Sequence, residues 1–152
     1  GLIGEAPFEL PNNVFPCITQ VACRKLEKLT IFGDNWPTID GTGVRDYIHI
    51  MDLAEGHIAS LQYLFNRDPL IMNLNLGTGI GTSVLELINT FQAVNNIKIP
   101  YEFTSRRIGD ISTLVVDNSL ALSILNWSPK RSLEKMCLDG WKFQSCNPNG
   151  YQ

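Results

Sequence analysis

A chain of 152 residues, 44% hydrophobic and 18% charged, is long enough to bury one core without disulfides or a metal, and its composition excludes intrinsic disorder. Twelve Lys and Arg against fifteen Asp and Glu leave a net charge of -3, which supplies no broad positive field for nucleic acid. No apolar run approaches the roughly 20 residues of a membrane span and no signal-peptide pattern opens the chain, so the reading is cytoplasmic; a start on Gly1 rather than Met fits a piece of a longer protein.

Gly1 to Asn13 reads as a loop. Val14 to Cys23 has helical apolar spacing, with Asn13 as N-cap and Pro16 tolerated in the first turn. Leu29-Thr30-Ile31-Phe32 reads as a short strand, followed by a turn-rich loop to Gly43 of the kind that carries function. Val44 to Ile50 has strand-like content, and Asp52-Leu53-Ala54-Glu55 has capping-box spacing for a helix to about Phe65, with Ile58, Leu61, Leu64 and Phe65 as its buried stripe. Ile71 to Leu76 reads as a second strand, and Gly77 to Thr82 turns the chain into a helix from Ser83, capped reciprocally by Glu86. Ile99 to Thr104 reads as a strand leading to a polar loop with Arg106, Arg107, Gly109 and Asp110, and helices near Ser119 to Asn126 and Ser132 to Ser145 follow. This alternation of strands and helices predicts an α/β fold built from crossover units.

The run Gly77-x-Gly79-x-Gly81 invites a dinucleotide-binding reading, but Thr82 stands where that fingerprint needs glycine, and no acidic residue follows a second strand at the expected distance of about 20 residues. A tight turn into a capped helix is the simpler reading. No Tyr is followed four positions later by Lys, and neither a P-loop nor a nucleophile-elbow serine occurs. Cys17, Cys23, Cys137 and Cys146 are scattered, with only His49 and His57 beside them, so free thiols are expected rather than a zinc or redox site.

Arg45 follows Gly41-Thr42-Gly43, and Arg106-Arg107 precede Gly109-Asp110. A guanidinium is a planar donor fork suited to phosphate oxygens, so two such loops converging would clamp a diphosphate; alone, each is an ordinary solvated arginine. Phe32 at a strand end offers a face on which a base could stack for on the order of 1–3 kcal/mol, or it is core. Asn12-Asn13 either directs donors at an anion or simply caps a helix.

These weak signals align in one resemblance. Ile31-Phe32-Gly33-Asp34-Asn35, Asp40-Gly41-Thr42-Gly43-Val44-Arg45-Asp46-Tyr47-Ile48-His49, Met51-Asp52-Leu53-Ala54, Asn75-Leu76-Gly77-Thr78-Gly79 and Arg106-Arg107-x-Gly109-Asp110 resemble the C-terminal half of UDP-glucose 4-epimerases, in the extended short-chain dehydrogenase/reductase family. The likeness runs from Gly4-Glu5 and Pro11-Asn12-Asn13 to Asn147-Pro148-Asn149-Gly150-Tyr151.

The resemblance implies that residues 1–152 are one small mixed α/β UDP-sugar-binding domain lacking the N-terminal Rossmann domain, with some elements normally packed on that absent NAD-binding half. It implies that Asn13 and the Val14 N–H meet the diphosphate region, Thr30 and Phe32 contact uracil, Arg45 and Arg107 grip the diphosphate, Asp110 binds the ribose and Tyr47 lines the pocket. NAD, the catalytic Tyr and Lys pair, a Ser or Thr near the sugar and the homodimer interface are implied for the other half; no catalytic, cofactor-binding or metal residue falls in this chain. The substrates implied are UDP-glucose and UDP-galactose, interconverted by oxidation and re-reduction at hexose C4. Leu114 stands near the sugar where relatives carry Tyr or a smaller residue, which predicts room for N-acetylated hexoses. Two alternatives stay open: a standalone UDP-sugar-binding module, and part of a related UDP-sugar dehydratase or decarboxylase.

Overall fold

The computed structural model describes residues 1–6 and 11–151, so the part of the opening loop at residues 7–10 lies outside the described residues. Helix α1 (Val14–Ala22) buries Ile18 and Val21, and strand β1 (Leu29–Phe32) alternates, with Leu29 and Ile31 inward and Thr30 and Phe32 outward. Helices α3 (Val84–Asn95) and α5 (Leu133–Cys146) close this core with Leu87, Ile88, Phe91 and Cys137. Phe91 is fully buried between the edges of Phe15 and Trp141, each ring centroid 6.2 Å away. Burial of such a side chain contributes about 1.5–3 kcal/mol, and the edge-on pairs add to it.

Strand β4 (Tyr101–Thr104) pairs parallel with β1, Leu29 opposite Tyr101 and Phe32 opposite Thr104. Parallel pairing brings the C-terminal ends of both strands together, so the loop after Phe32 and the loop after Thr104 leave side by side. A second sheet has the order β3-β2-β5: β2 (Val44–Arg45) lies antiparallel to β3 (Thr82–Ser83) and parallel to β5 (Thr113–Leu114). Its register sets Arg45 opposite both Thr82 and Leu114. At the start of α3 the predicted capping box is present: the Glu86 N–H donates to Ser83 Oγ at 3.0 Å and the Ser83 N–H donates to Glu86 Oε2 at 3.3 Å. The mixed α/β class is as the sequence predicts, and the four cysteines are free thiols.

Four local expectations fail for identifiable reasons. The strand predicted over Val44 to Ile50 stops at Arg45, because Asp46 turns its carboxylate to the glycine loop and His49 starts a helix. Helix α2 (Ile50–Phe65) is capped by His49, whose Nδ1 accepts the Met51 N–H at 3.0 Å. With Nδ1 an acceptor, the ring proton sits on Nε2 and donates to Asp139 at 3.1 Å. The expected cap residue, Asp52, is instead fully buried and accepts from the Lys130 N–H at 3.1 Å, the Arg131 N–H at 2.9 Å and the Arg131 guanidinium.

The predicted buried stripe of α2 is exposed: Ile58 is 56% accessible, Leu61 52%, Leu64 43% and Phe65 82%. The helix packs its opposite, small-residue face inward, Gly56 against Leu76 and Trp127. This second cluster gathers Ala121 and Leu125 of helix α4 (Ser119–Leu125), Trp127, Ala59 and Tyr63. Ile71 to Leu76, predicted as a strand, has no ladder partner among the described residues, and Ile71 is 98% exposed.

Candidate functional site

The two loops that leave the C-terminal end of the β1–β4 pair are joined by side chains. The Arg107 guanidinium lies 4.2 Å from the centroid of Phe32, and that of Arg106 lies 4.1 Å from the centroid of Trp36. Arg106 Nε donates to Asn35 Oδ1 at 2.8 Å, and its terminal nitrogen donates to the Asn35 carbonyl. Trp36 Nε1 in turn donates to the Phe32 carbonyl at 3.1 Å. Gly33, at φ +90°, allows this close packing, since a Cβ there would stand 2.5 Å from Trp36 Nε1 and 2.9 Å from Arg106 Cγ.

Arg45 reaches the same loop from the second sheet: its Nη1 donates to the Val44 carbonyl at 2.8 Å and to the Ile111 carbonyl at 3.0 Å. Its register partner Leu114 is 57% exposed beside it. Asp110 closes a turn in that loop, its N–H donating to the Arg107 carbonyl at 3.2 Å. The side chains of Thr30, Phe32, Arg107 and Asp110 are exposed; Thr30 and Phe32 share the outward side of β1, and Arg107 lies over Phe32 there.

Asn13 stands exposed before α1, in extended backbone conformation, and its side chain makes no cap hydrogen bond. The Asn13 carboxamide is therefore not used as a helix cap, and the Val14 N–H is one of the first-turn donors that an intrahelical carbonyl cannot reach. One turn on, burial pushes the Cys17 thiol up while the charge of Arg107 opposes the shift. Tyr47 differs from the others. It packs against the larger core, and its hydroxyl is buried with no hydrogen-bond partner among the described residues. Burial pushes its pKa up to about 12 against the opposing charge of Arg45, so it stays a neutral phenol.

Three residues that the sequence reading did not single out hold these side chains in place. Asp46 Oδ1 accepts from the Thr78 N–H at 3.0 Å and the Thr78 hydroxyl at 2.5 Å, and its Oδ2 accepts the Gly79 N–H at 2.8 Å. A Cβ on Gly77 would collide with Val116 and the Asp46 carboxylate. Asp40 accepts from the Thr42 N–H at 2.9 Å, the Thr42 hydroxyl at 2.7 Å and the Ser83 hydroxyl. Burial works to raise its carboxyl, but these donors prevail and hold it below the usual range. Trp36 is the third. Each has a partner far along the chain, Thr78 for Asp46, Ser83 for Asp40 and Arg106 for Trp36, and local spacing carries no signal for those contacts.

The glycine loop is therefore not a phosphate cradle. Its N–H groups already serve an internal carboxylate, and a dinucleotide pyrophosphate does not fit it. Among the described residues no group of His, Cys, Asp and Glu could hold a metal, and no helix is long and apolar enough to cross a membrane.

This architecture is shared with known proteins. A UDP-glucose 4-epimerase of Bacillus subtilis is 51% identical over 152 residues, all of this chain and 44% of its own length. A solved UDP-glucose 4-epimerase from Stenotrophomonas maltophila, with bound NAD and formylated UDP-arabinopyranose, superposes with a TM-score of 0.92 at 46% identity, covering 96% of this chain and 43% of that one. A second, from Bifidobacterium longum in complex with NAD+ and UDP, gives a TM-score of 0.93 at 39% identity over 98% of this chain and 44% of that one. The chain thus spans less than half the length of the relatives it matches. The family model described as GDP-mannose 4,6 dehydratase matches residues 5–139, and the chain belongs to that family.

Proposed function

We propose that this chain is the C-terminal, UDP-sugar-binding part of a UDP-glucose 4-epimerase, which interconverts UDP-glucose and UDP-galactose by NAD-mediated oxidation and re-reduction at hexose C4. The observation that carries the reading is that one loop, residues 105–112, carries Arg107 stacked on Phe32 of the first sheet and also offers the Ile111 carbonyl to Arg45 of the second, whose register partner is Leu114. Thr30 and Phe32 then contact uracil, Asp110 the ribose, and Arg45 and Arg107 the diphosphate, with Asn13 and the Val14 N–H beside it. Tyr47 backs the pocket from the core, and Leu114 borders the hexose. Relatives solved with UDP or a UDP-sugar support the ligand class.

NAD and the catalytic Tyr and Lys pair belong to the rest of the protein, which also carries the homodimer interface, in a cytoplasmic setting. Residues 1–152 form one domain whose α2 face and unpaired Ile71 to Leu76 segment pack on that NAD-binding part. The exposed Ile58, Leu61, Phe65 and Ile71 favour this over a self-sufficient UDP-sugar module, which would cover its own apolar surface. Calorimetry of the chain tests the proposal: UDP gives a saturable heat, NAD gives none, and Arg45→Ala or Arg107→Ala weakens UDP binding about tenfold or more. Measurable NAD affinity, or no UDP affinity, contradicts it.

A further inference from the structure

We propose that Arg106, clasped to Asn35 and stacked on Trp36, is a positioning residue that sets the geometry of the uridine end of the site; this rests on the UDP-binding reading above. The two arginines of the 105–112 loop do different work. Arg107 lies over Phe32, whereas Arg106 spends its guanidinium on the neighbouring loop: Nε to Asn35 Oδ1 at 2.8 Å, a terminal nitrogen to the Asn35 carbonyl, and its plane 4.1 Å over Trp36. Trp36 passes the constraint on, because its Nε1 donates to the carbonyl of Phe32 itself at 3.1 Å.

The clasp therefore closes a ring through Phe32, Trp36, Arg106 and Arg107, anchored by the Gly33 N–H donating to the Thr104 carbonyl at 2.9 Å. Beyond that bond the two loops meet next through the side chains of Arg106 and Arg107, while the Trp36 N–H donates to the Gly41 carbonyl at 2.9 Å within its own loop and the Val44 N–H donates to the Ser112 carbonyl at 2.8 Å at the far end. Cutting the clasp lets the Phe32 ring and Arg107 sample separate positions, and a ligand that must meet both pays for re-ordering them.

The test uses the chain with UDP as probe and compares Arg106→Ala, Trp36→Leu, Trp36→Tyr, the Arg106→Ala/Trp36→Leu double variant and Arg107→Ala. Arg106→Ala and Trp36→Leu should each weaken UDP binding about tenfold. The double variant should lose no more than either alone, because both cut one ring. Trp36→Tyr, which keeps an aromatic face beneath the guanidinium but loses the Nε1 donor to the Phe32 carbonyl, should recover affinity only in part, to a value between Trp36→Leu and the unaltered chain. Amide hydrogen exchange should quicken from Asn35 to Gly41 in the Ala and Leu variants and stay slow in helix α3, a local effect that general loss of stability would not produce. Additive losses in the double variant would overturn the clasp. Unchanged affinity in Arg106→Ala while Arg107→Ala loses UDP would overturn the clasp alone, and no UDP binding by the unaltered chain would overturn both readings.

Discussion

Asp52→Ala should be among the most destabilising single changes in this chain. Asp52 is fully buried and receives the Lys130 N–H, the Arg131 N–H and the Arg131 guanidinium, joining the start of α2 to the segment before α5. Burial works to raise its carboxyl, but those donors outweigh burial and hold it ionised below the usual range. Truncation leaves two backbone donors unpaired and the guanidinium with only Glu55, whose Oε1 lies 2.8 Å from it. The Arg131 guanidinium is 28% accessible and is not left as a buried charge, so the cost is that of the orphaned donors, about 2–4 kcal/mol, against roughly 5–15 kcal/mol for a whole domain. With a urea slope of about 1–3 kcal/mol per molar, the unfolding midpoint should fall by about 1–2 M. Asp52→Asn keeps an acceptor oxygen and should lose about half as much. The assay is urea denaturation followed by tryptophan fluorescence, since Trp127 Nε1 donates to the Asp52 carbonyl at 3.0 Å and reports on this joint. A midpoint shift below about 0.5 M would show that the joint is solvated and the reasoning wrong.

Acid titration gives a second outcome. Asp139 is lowered to about 2, chiefly by its hydrogen bond from Lys135 against the opposing effect of burial, with the hydrogen bond from His49 adding to the shift. A depressed carboxylate stabilises fully above its unfolded value and loses that contribution as pH falls, so stability should drop between about pH 4 and 2. Asp139→Asn should flatten that limb in chemical denaturation measured across this range. Ser83→Ala should cost about 1 kcal/mol by removing the α3 capping box, read from the thermal midpoint. Phe65→Glu should reduce concentration-dependent association in sedimentation velocity, because Phe65 is the most exposed apolar side chain of the α2 face. In the full-length epimerase proposed above, Leu114→Tyr should lower turnover of N-acetylated UDP-hexoses more than that of UDP-glucose, and equal loss for both would dissociate Leu114 from the sugar.

Local chemistry made much of this molecule readable in advance. The Ser83 and Glu86 pair signals a helix start at short range, and the content of Leu29 to Phe32 signals a short strand; both are as expected, whereas Phe32, which the sequence leaves open between a stacking face and the core, faces outward. Helix α2 was legible in its extent but not in its orientation, because it is apolar on more than one face and the sequence cannot say which face this chain itself covers. Ile71 to Leu76 has strand composition, yet a strand exists only with a ladder partner, and none lies among the described residues. At the site, Arg45, Phe32 and Arg107 could be picked out by type and by nearby turns, and the resemblance gave them roles. The parts that hold them, Asp46 on the glycine loop and Trp36 under Arg106, join segments about 30 and 70 positions apart, where no periodicity reaches.

The most direct measurement is a map of amide chemical-shift changes in the nitrogen-15-labelled chain as UDP is added. Changes concentrated at Val14, Thr30 to Phe32, Arg45 and Arg107 to Leu114, with Gly77 to Gly81 unmoved, are the predicted result. Changes centred on the Gly77 to Gly81 turn, or spread without focus over the exposed face of α2, would contradict it.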